Sequence, residues 1–175
     1  MPSPVTALGT AGPVLRGHGW LLSYSDRVST PENSDGRENP TPTPADVPDL
    51  GPYANAIGLT VTVATADELT ASWTVTEALL QPYGLLHGGV HCSVVETLAS
   101  VAAAGWLGPS GQVVGTTNTT DFFRASRTGD QLVSTARPLH RGRSRQVWRV
   151  ETLDDQGRLV AAGQVGIQNL TNQRG

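Results

Sequence analysis

From Gly88 to Leu107 the chain carries one residue certain to be charged near neutral pH, Glu96. Val90, Val94, Leu98 and Val101 recur at helical spacing on one side of this stretch. The pair Gly88–Gly89 precedes it and Gly108–Pro109 follows it, so the spacing predicts one helix over Val90–Leu107. Ala99, Ala102, Ala103, Ala104 and Gly105 spread small apolar surface over several of its sides. A helix apolar nearly all round has to be surrounded by protein. The rest of the chain must therefore wrap it.

A lone carboxylate in such a helix is costly unless it is paired or used. At about 100° per residue Glu96 lies opposite the valine stripe, and Ser100 follows one turn later on the same flank. Ser100 can hydrogen-bond the carboxylate or a water beside it. Before the helix stand His87 and Gly88, where backbone N–H groups lack intrahelical acceptors and meet the positive end of the dipole. Such donors, with a carboxylate about two turns on, suit a carbonyl that becomes an oxyanion. Residue types alone leave a second reading standing: a buried structural carboxylate, with the glycines there for tight packing. The same flank carries Cys92, Ala99 and Ala103, which a single sheet would leave open to a second copy of the chain.

The chain has 175 residues, enough for one domain with a proper core. Its net charge of −3 gives no electrostatic footprint for nucleic acid, although every one of its 12 basic residues is arginine. One cysteine, Cys92, excludes an intramolecular disulfide and suits a reducing cytoplasm. No apolar run approaches the roughly 20 residues of a membrane span, and the N-terminus lacks a signal-peptide pattern. A soluble cytoplasmic protein with no membrane partner is expected.

Residues 1–48 hold eight of the 12 prolines and read as a flexible Pro-rich extension; the folded domain is expected over 49–171. Asp49–Ile57 reads as a short helix. Leu59–Ala64 and Leu69–Val75 alternate strictly and are separated by a short turn, a hairpin signal. After the long helix come alternating runs at Val113–Phe123, Gln131–Leu139, Ser144–Leu153 and Leu159–Leu170, with turn signals at Thr128–Asp130 and Asp154–Gly157. Two strands, one apolar helix and four strands define an α+β class, an antiparallel sheet of five to six strands around one central helix.

Several motifs can be weighed directly. His87 and His91 stand four apart, but the zinc-hydrolase pattern needs Glu after the first His, and Gly88 occupies that place. Packing is the simpler role for His91, and a small apolar filler the simpler role for Cys92. There is no GxSxG elbow and no Walker loop. Arg137, Arg141, Arg143 and Arg145 crowd one strand–turn–strand segment, with Arg124 and Arg127 nearby. They read either as a solvated turn or as a rim for a phosphorylated handle such as that of coenzyme A.

Together Gln81, His87-Gly88-Gly89, Glu96 and Ser100, followed by DFFRASRTGD, PLHRGRSRQVW and DDQGRLVAAGQVGIQNL, resemble the PaaI-like group of hotdog-fold thioesterases, which includes the Arthrobacter-type 4-hydroxybenzoyl-CoA thioesterases. The resemblance covers roughly residues 50–170 and is strongest to actinobacterial members. It implies a hotdog fold and hydrolysis of an acyl-CoA or aryl-CoA thioester to free acid and CoA. It further implies that Glu96 is nucleophile or general base, that the Gly88 N–H polarises the carbonyl, and that Gln81 and His87 orient the substrate. Ser100 would place the water, where many members have Thr. CoA would be held by Arg124 and by Arg141, Gly142, Arg143 and Ser144. No metal or cofactor is implied beyond the CoA of the substrate, and the assembly would be a homodimer or homotetramer. A hotdog dehydratase would need a His-Phe-Pro-Gly type signature, absent here; a non-catalytic acyl-CoA-binding module is the other alternative.

Overall fold

The structure is a computed structural model and describes Pro48, residues 50–109 and residues 111–171, the last without its side chain. The Pro-rich extension expected over 1–48 lies, apart from Pro48, outside the described residues. The elements run α1 (Gly51–Ile57), β1 (Thr60–Ala64), β2 (Leu69–Thr74), α2 (Gly88–Leu107), β3 (Gly111–Phe122), β4 (Gln131–Arg141), β5 (Arg145–Asp154) and β6 (Leu159–Thr171). A 3-10 turn at Glu77–Leu79, which apolar periodicity does not reveal, leads from β2 toward α2.

All six strands form one antiparallel sheet in the order β1-β2-β4-β5-β6-β3. The third strand in sequence is last in space, so the chain crosses the sheet between β2 and β3, and α2 is the crossing. It packs on β2, β4, β5, β6 and β3. Val94, Val95, Leu98 and Ala99 are fully buried against core residues that include Leu132, Val150, Val165 and Ile167. Val90 and Val101 are partly buried against the same core, so the predicted stripe does face the sheet.

Three expectations are corrected. The helix starts at Gly88, because the glycine pair forms its first turn rather than preceding it. Ala99 and Ala103 are buried within their own chain, since the curved sheet reaches further round α2 than one flat face would; Cys92, Ser93, Glu96, Thr97 and Ser100 are half-buried. The helix also has 20 residues and a mean hydropathy of 1.3, enough by length and composition to cross a membrane. Its contacts with five strands are those of a core helix.

The buried side chains of Ser134, Thr152, Gln146 and Asn169 are tied with the indoles of Trp73 and Trp148 in two chains. Trp73 Nε1 donates to Ser134 Oγ at 3.0 Å, and Ser134 shares a 2.8 Å bond with Thr152. Trp148 Nε1 donates to Gln146 Oε1 at 2.8 Å, while Gln146 Nε2 donates to Asn169 Oδ1 at 2.7 Å and to the Ala103 carbonyl at 3.3 Å. Each bond satisfies a donor that would be costly to bury alone.

The edge strand β3 has one irregularity that sets the site. Its register against β6 slips between Gly115 and Thr117, so Thr116 is an extra residue. Thr116 Oγ1 donates to the Gly166 carbonyl at 2.9 Å, and Gly166 N–H donates to Thr117 Oγ1 at 3.2 Å. A bulge of this kind reverses the alternation beyond it. Val113 and Gly115 face α2 before the slip; Asn118 and Phe122 meet α2 residues after it.

Candidate active site

The carboxylate of Glu96 is held from two elements. Ser100 Oγ, one turn along α2, donates to Oε1 at 3.1 Å. Asn118 Nδ2, from β3, donates to Oε2 at 3.1 Å and to the Cys92 carbonyl at 3.0 Å. Thr120 Oγ1 donates to Asn118 Oδ1 at 2.8 Å. Gly115 lies so close that a Cβ there would overlap Glu96 Oε1. Glu96 and Ser100 thus meet as the sequence predicted. Asn118 and Thr120 are hidden in the sequence because alternation counted from Val113 sends them to the other face, and Gly115 because a glycine carries no side-chain signal.

At the N-terminal end of α2 lies a cavity of about 280 Å³ lined by Gln81, Leu85, Leu86, Gly88, His91 and residues 122–126. Gly88 N–H finds no acceptor among the described residues and is free for a carbonyl. The ring of Phe122 stands close by, and a Cβ at Gly88 would lie 3.0 Å from it. His87 caps the helix: its Nδ1 accepts from Gly89 N–H at 2.8 Å. Gln81 Oε1 accepts from Tyr83 N–H at 2.8 Å, shaping the turn that carries it into the cavity wall.

His91 is 3% exposed, and its Nδ1 is buried without a hydrogen-bond partner. Its ring packs edge-to-face with Trp73 at 5.9 Å and tilted against Phe122 at 5.8 Å. Burial pushes its pKa down from 6.5 to about 4, so the imidazole is neutral near pH 7. His87 and His91 are thus separately engaged. Among the described residues no group of three or more His, Cys, Asp or Glu is placed to hold a metal.

The predicted coenzyme A residues divide. Arg124 lines the cavity. Arg141 is committed elsewhere: Nη2 pairs with Asp67 Oδ1 at 2.6 Å, Nη1 donates to the Ala66 carbonyl at 2.7 Å, and the guanidinium lies 5.5 Å from the Trp106 ring. In the following turn, Asn169 Nδ2 donates to the Gly142 carbonyl at 3.0 Å and the Arg143 carbonyl at 3.1 Å, and Asn169 N–H donates to the Ser144 carbonyl. Arg143 and Ser144 are exposed. Trp106 stands about 27 Å along α2 from Gly88. One chain therefore does not bring Arg124 and the Arg141–Ser144 turn to one place.

An antiparallel sheet wound on one helix defines the hotdog fold, here with a lone carboxylate on the helix and a free N–H at its start. Residues 83–161 match the family model described as the thioesterase superfamily. The structure of S. sahachiroi AziG is 54% identical, with a TM-score of 0.68 over 70% of this chain and 98% of that one. The proofreading thioesterase EntH of Cronobacter sakazakii is 39% identical over 111 residues, 62% of this chain and 79% of the relative. The 1,4-dihydroxy-2-naphthoyl-CoA hydrolase of Escherichia coli is 37% identical over 101 residues, 57% of this chain and 72% of the relative. The chain belongs to the thioesterase superfamily, and its activity class is thioester hydrolase.

Proposed function

We propose that the protein hydrolyses acyl-CoA thioesters, aryl-CoA esters among them, to free acid and CoA, and that each active site is shared by two copies of the chain. The carrying observation is the separation of the parts. Gly88 and Glu96 lie about 12 Å apart along α2 and about 80° apart around it, and Glu96 is turned to β3. A carboxylate so placed does not reach a carbonyl held at its own Gly88. Strand β3 is an edge of 12 residues with Val114 and Phe122 about half exposed, a surface that soluble proteins cover. A two-fold axis beside β3 reverses the second helix, which sets the partner's carboxylate flank toward this chain's cavity. A dimer, alone or paired into a tetramer, supplies both halves.

In this reading Gly88 N–H polarises the thioester carbonyl, and Gln81 and His87 orient it. Glu96 then either attacks the carbonyl carbon, expelling CoA thiolate and leaving an anhydride that water opens, or takes a proton from a water placed by Ser100 as that water attacks the carbonyl carbon and the C–S bond breaks to release CoA thiolate. Arg124 at the cavity and Arg143 with Ser144 from another subunit hold the CoA phosphates. The cavity walls, with Phe122, Phe123, Leu85 and Leu86, suit a compact or aromatic acyl group, in keeping with the naphthoyl substrate named for the E. coli relative.

The test is steady-state turnover on a panel of aliphatic and aryl CoA esters, with Glu96→Gln. The variant should stay folded and lose at least about 100-fold in kcat. A folded variant with near-normal turnover sinks the assignment. Tight CoA-ester binding with no turnover in the parent would make the chain a binding module.

A further inference from the structure

The Asn118 side chain makes three hydrogen bonds, and they agree on its orientation. Nδ2 faces two acceptors, Glu96 Oε2 and the Cys92 carbonyl. Oδ1 faces the Thr120 hydroxyl, which donates to it. Exchanging the amide atoms would set Oδ1 against a carboxylate and a carbonyl, so these two acceptors fix which end meets Glu96, and the Thr120 hydroxyl anchors the other end. Ser100 takes the other carboxylate oxygen, and Gly115 leaves room for it where any Cβ would intrude. Gly115 faces α2 before the register slip between Gly115 and Thr117, and Asn118 and Thr120 lie on that same side only because of it.

We propose that Asn118, steered by Thr120, is a positioning residue for thioester hydrolysis, holding the Glu96 carboxylate in its reacting rotamer. The inference rests on Glu96 being the reacting carboxylate. Asn118 touches no reacting atom of the substrate; it acts through Glu96. Glutamate has three side-chain torsions, and half-buried between one Ser and open solvent it would sample several rotamers. The Asn118 bond selects one, and a misplacement of about 1 Å at a reacting group costs up to about 100-fold in rate.

The experiment measures kcat and KM on the best CoA ester for Asn118→Ala, Thr120→Val, Thr120→Ser and the Asn118→Ala/Thr120→Val pair. Asn118→Ala should lower kcat about 10- to 100-fold with KM within about twofold. Thr120→Val should lower kcat several-fold and Thr120→Ser should restore it. The pair should be no slower than Asn118→Ala alone, because Thr120 acts only through Asn118. A purely structural role would lower Tm and leave turnover per folded molecule intact. Folded Asn118→Ala with parental kcat overturns the proposal, as do multiplying effects in the pair. If Asn118→Ala fails to fold, Thr120→Val, close in shape to the parent, decides alone. An inactive Glu96→Gln beside a fully active Asn118→Ala removes only this inference. An active Glu96→Gln, or a parent with no turnover on any thioester, removes the proposed function and this inference together.

Discussion

Lowering the pH from about 7.5 to about 5 should destabilise the folded protein by about 2 kcal/mol through His91 alone. Burial between Trp73 and Phe122 disfavours the imidazolium, and the folded pKa falls from 6.5 to about 4. Between those values the unfolded chain binds a proton that the folded chain refuses, so stability decreases as pH falls, by about 1.4 kcal/mol per unit. His91 therefore contributes its full share above pH 6.5 and progressively less down to about pH 4. The ring is 3% exposed, so solvent screening does little to reduce the effect. Urea unfolding at fixed protein concentration reads it: with a slope of about 2 kcal/mol per M, the midpoint should fall by about 1 M across this range. Acidic residues add their own pH dependence, so the comparison is with His91→Leu, which cannot ionise. The drop should be about 2 kcal/mol smaller in the variant, whatever its absolute stability. Parallel losses in both proteins would refute the reasoning.

Two further outcomes follow from the site. Arg124→Ala should raise KM for an acyl-CoA several-fold with kcat little changed, and should leave an N-acetylcysteamine ester unaffected; Arg141→Ala should instead lower stability by about 1 kcal/mol through its lost Asp67 and Trp106 contacts, read as Tm. Mixing unfolded Glu96→Gln with unfolded Gly88→Pro, each inactive alone, and refolding them together should restore about a quarter of parental activity, since half the dimers pair unlike chains and each then has one intact site. A mixture that stays inactive would argue against shared sites.

The six strands and the long helix were legible because burial on one face writes a period of two or 3.6 into the sequence. The meeting of Glu96 with Ser100 was equally legible, being a one-turn relation within α2. Asn118 was not, because one extra residue in β3 reverses which side chains face the helix. The fate of Arg141 was hidden for another reason: its partner Asp67 stands 74 positions away, and only the sheet order brings β1–β2 and β4 together. His91 reads from sequence as a packed or interface histidine; the structure packs it between Trp73 and Phe122, with one ring nitrogen unpaired that the sequence does not reveal.

The hydrogen-bonded chains inside the sheet have a consequence for how such a sequence can diverge. Replacing Ser134 by alanine strands the Trp73 indole N–H and the Thr152 hydroxyl in the interior, whereas exchanging Trp73 for phenylalanine and Thr152 for valine at the same time removes donors and acceptors together. The same holds for Trp148, Gln146 and Asn169. Descendants of this chain should thus move through these positions in coupled steps, and relatives should carry either the whole polar set or an apolar one. Mixed sets should survive only where a water has moved in.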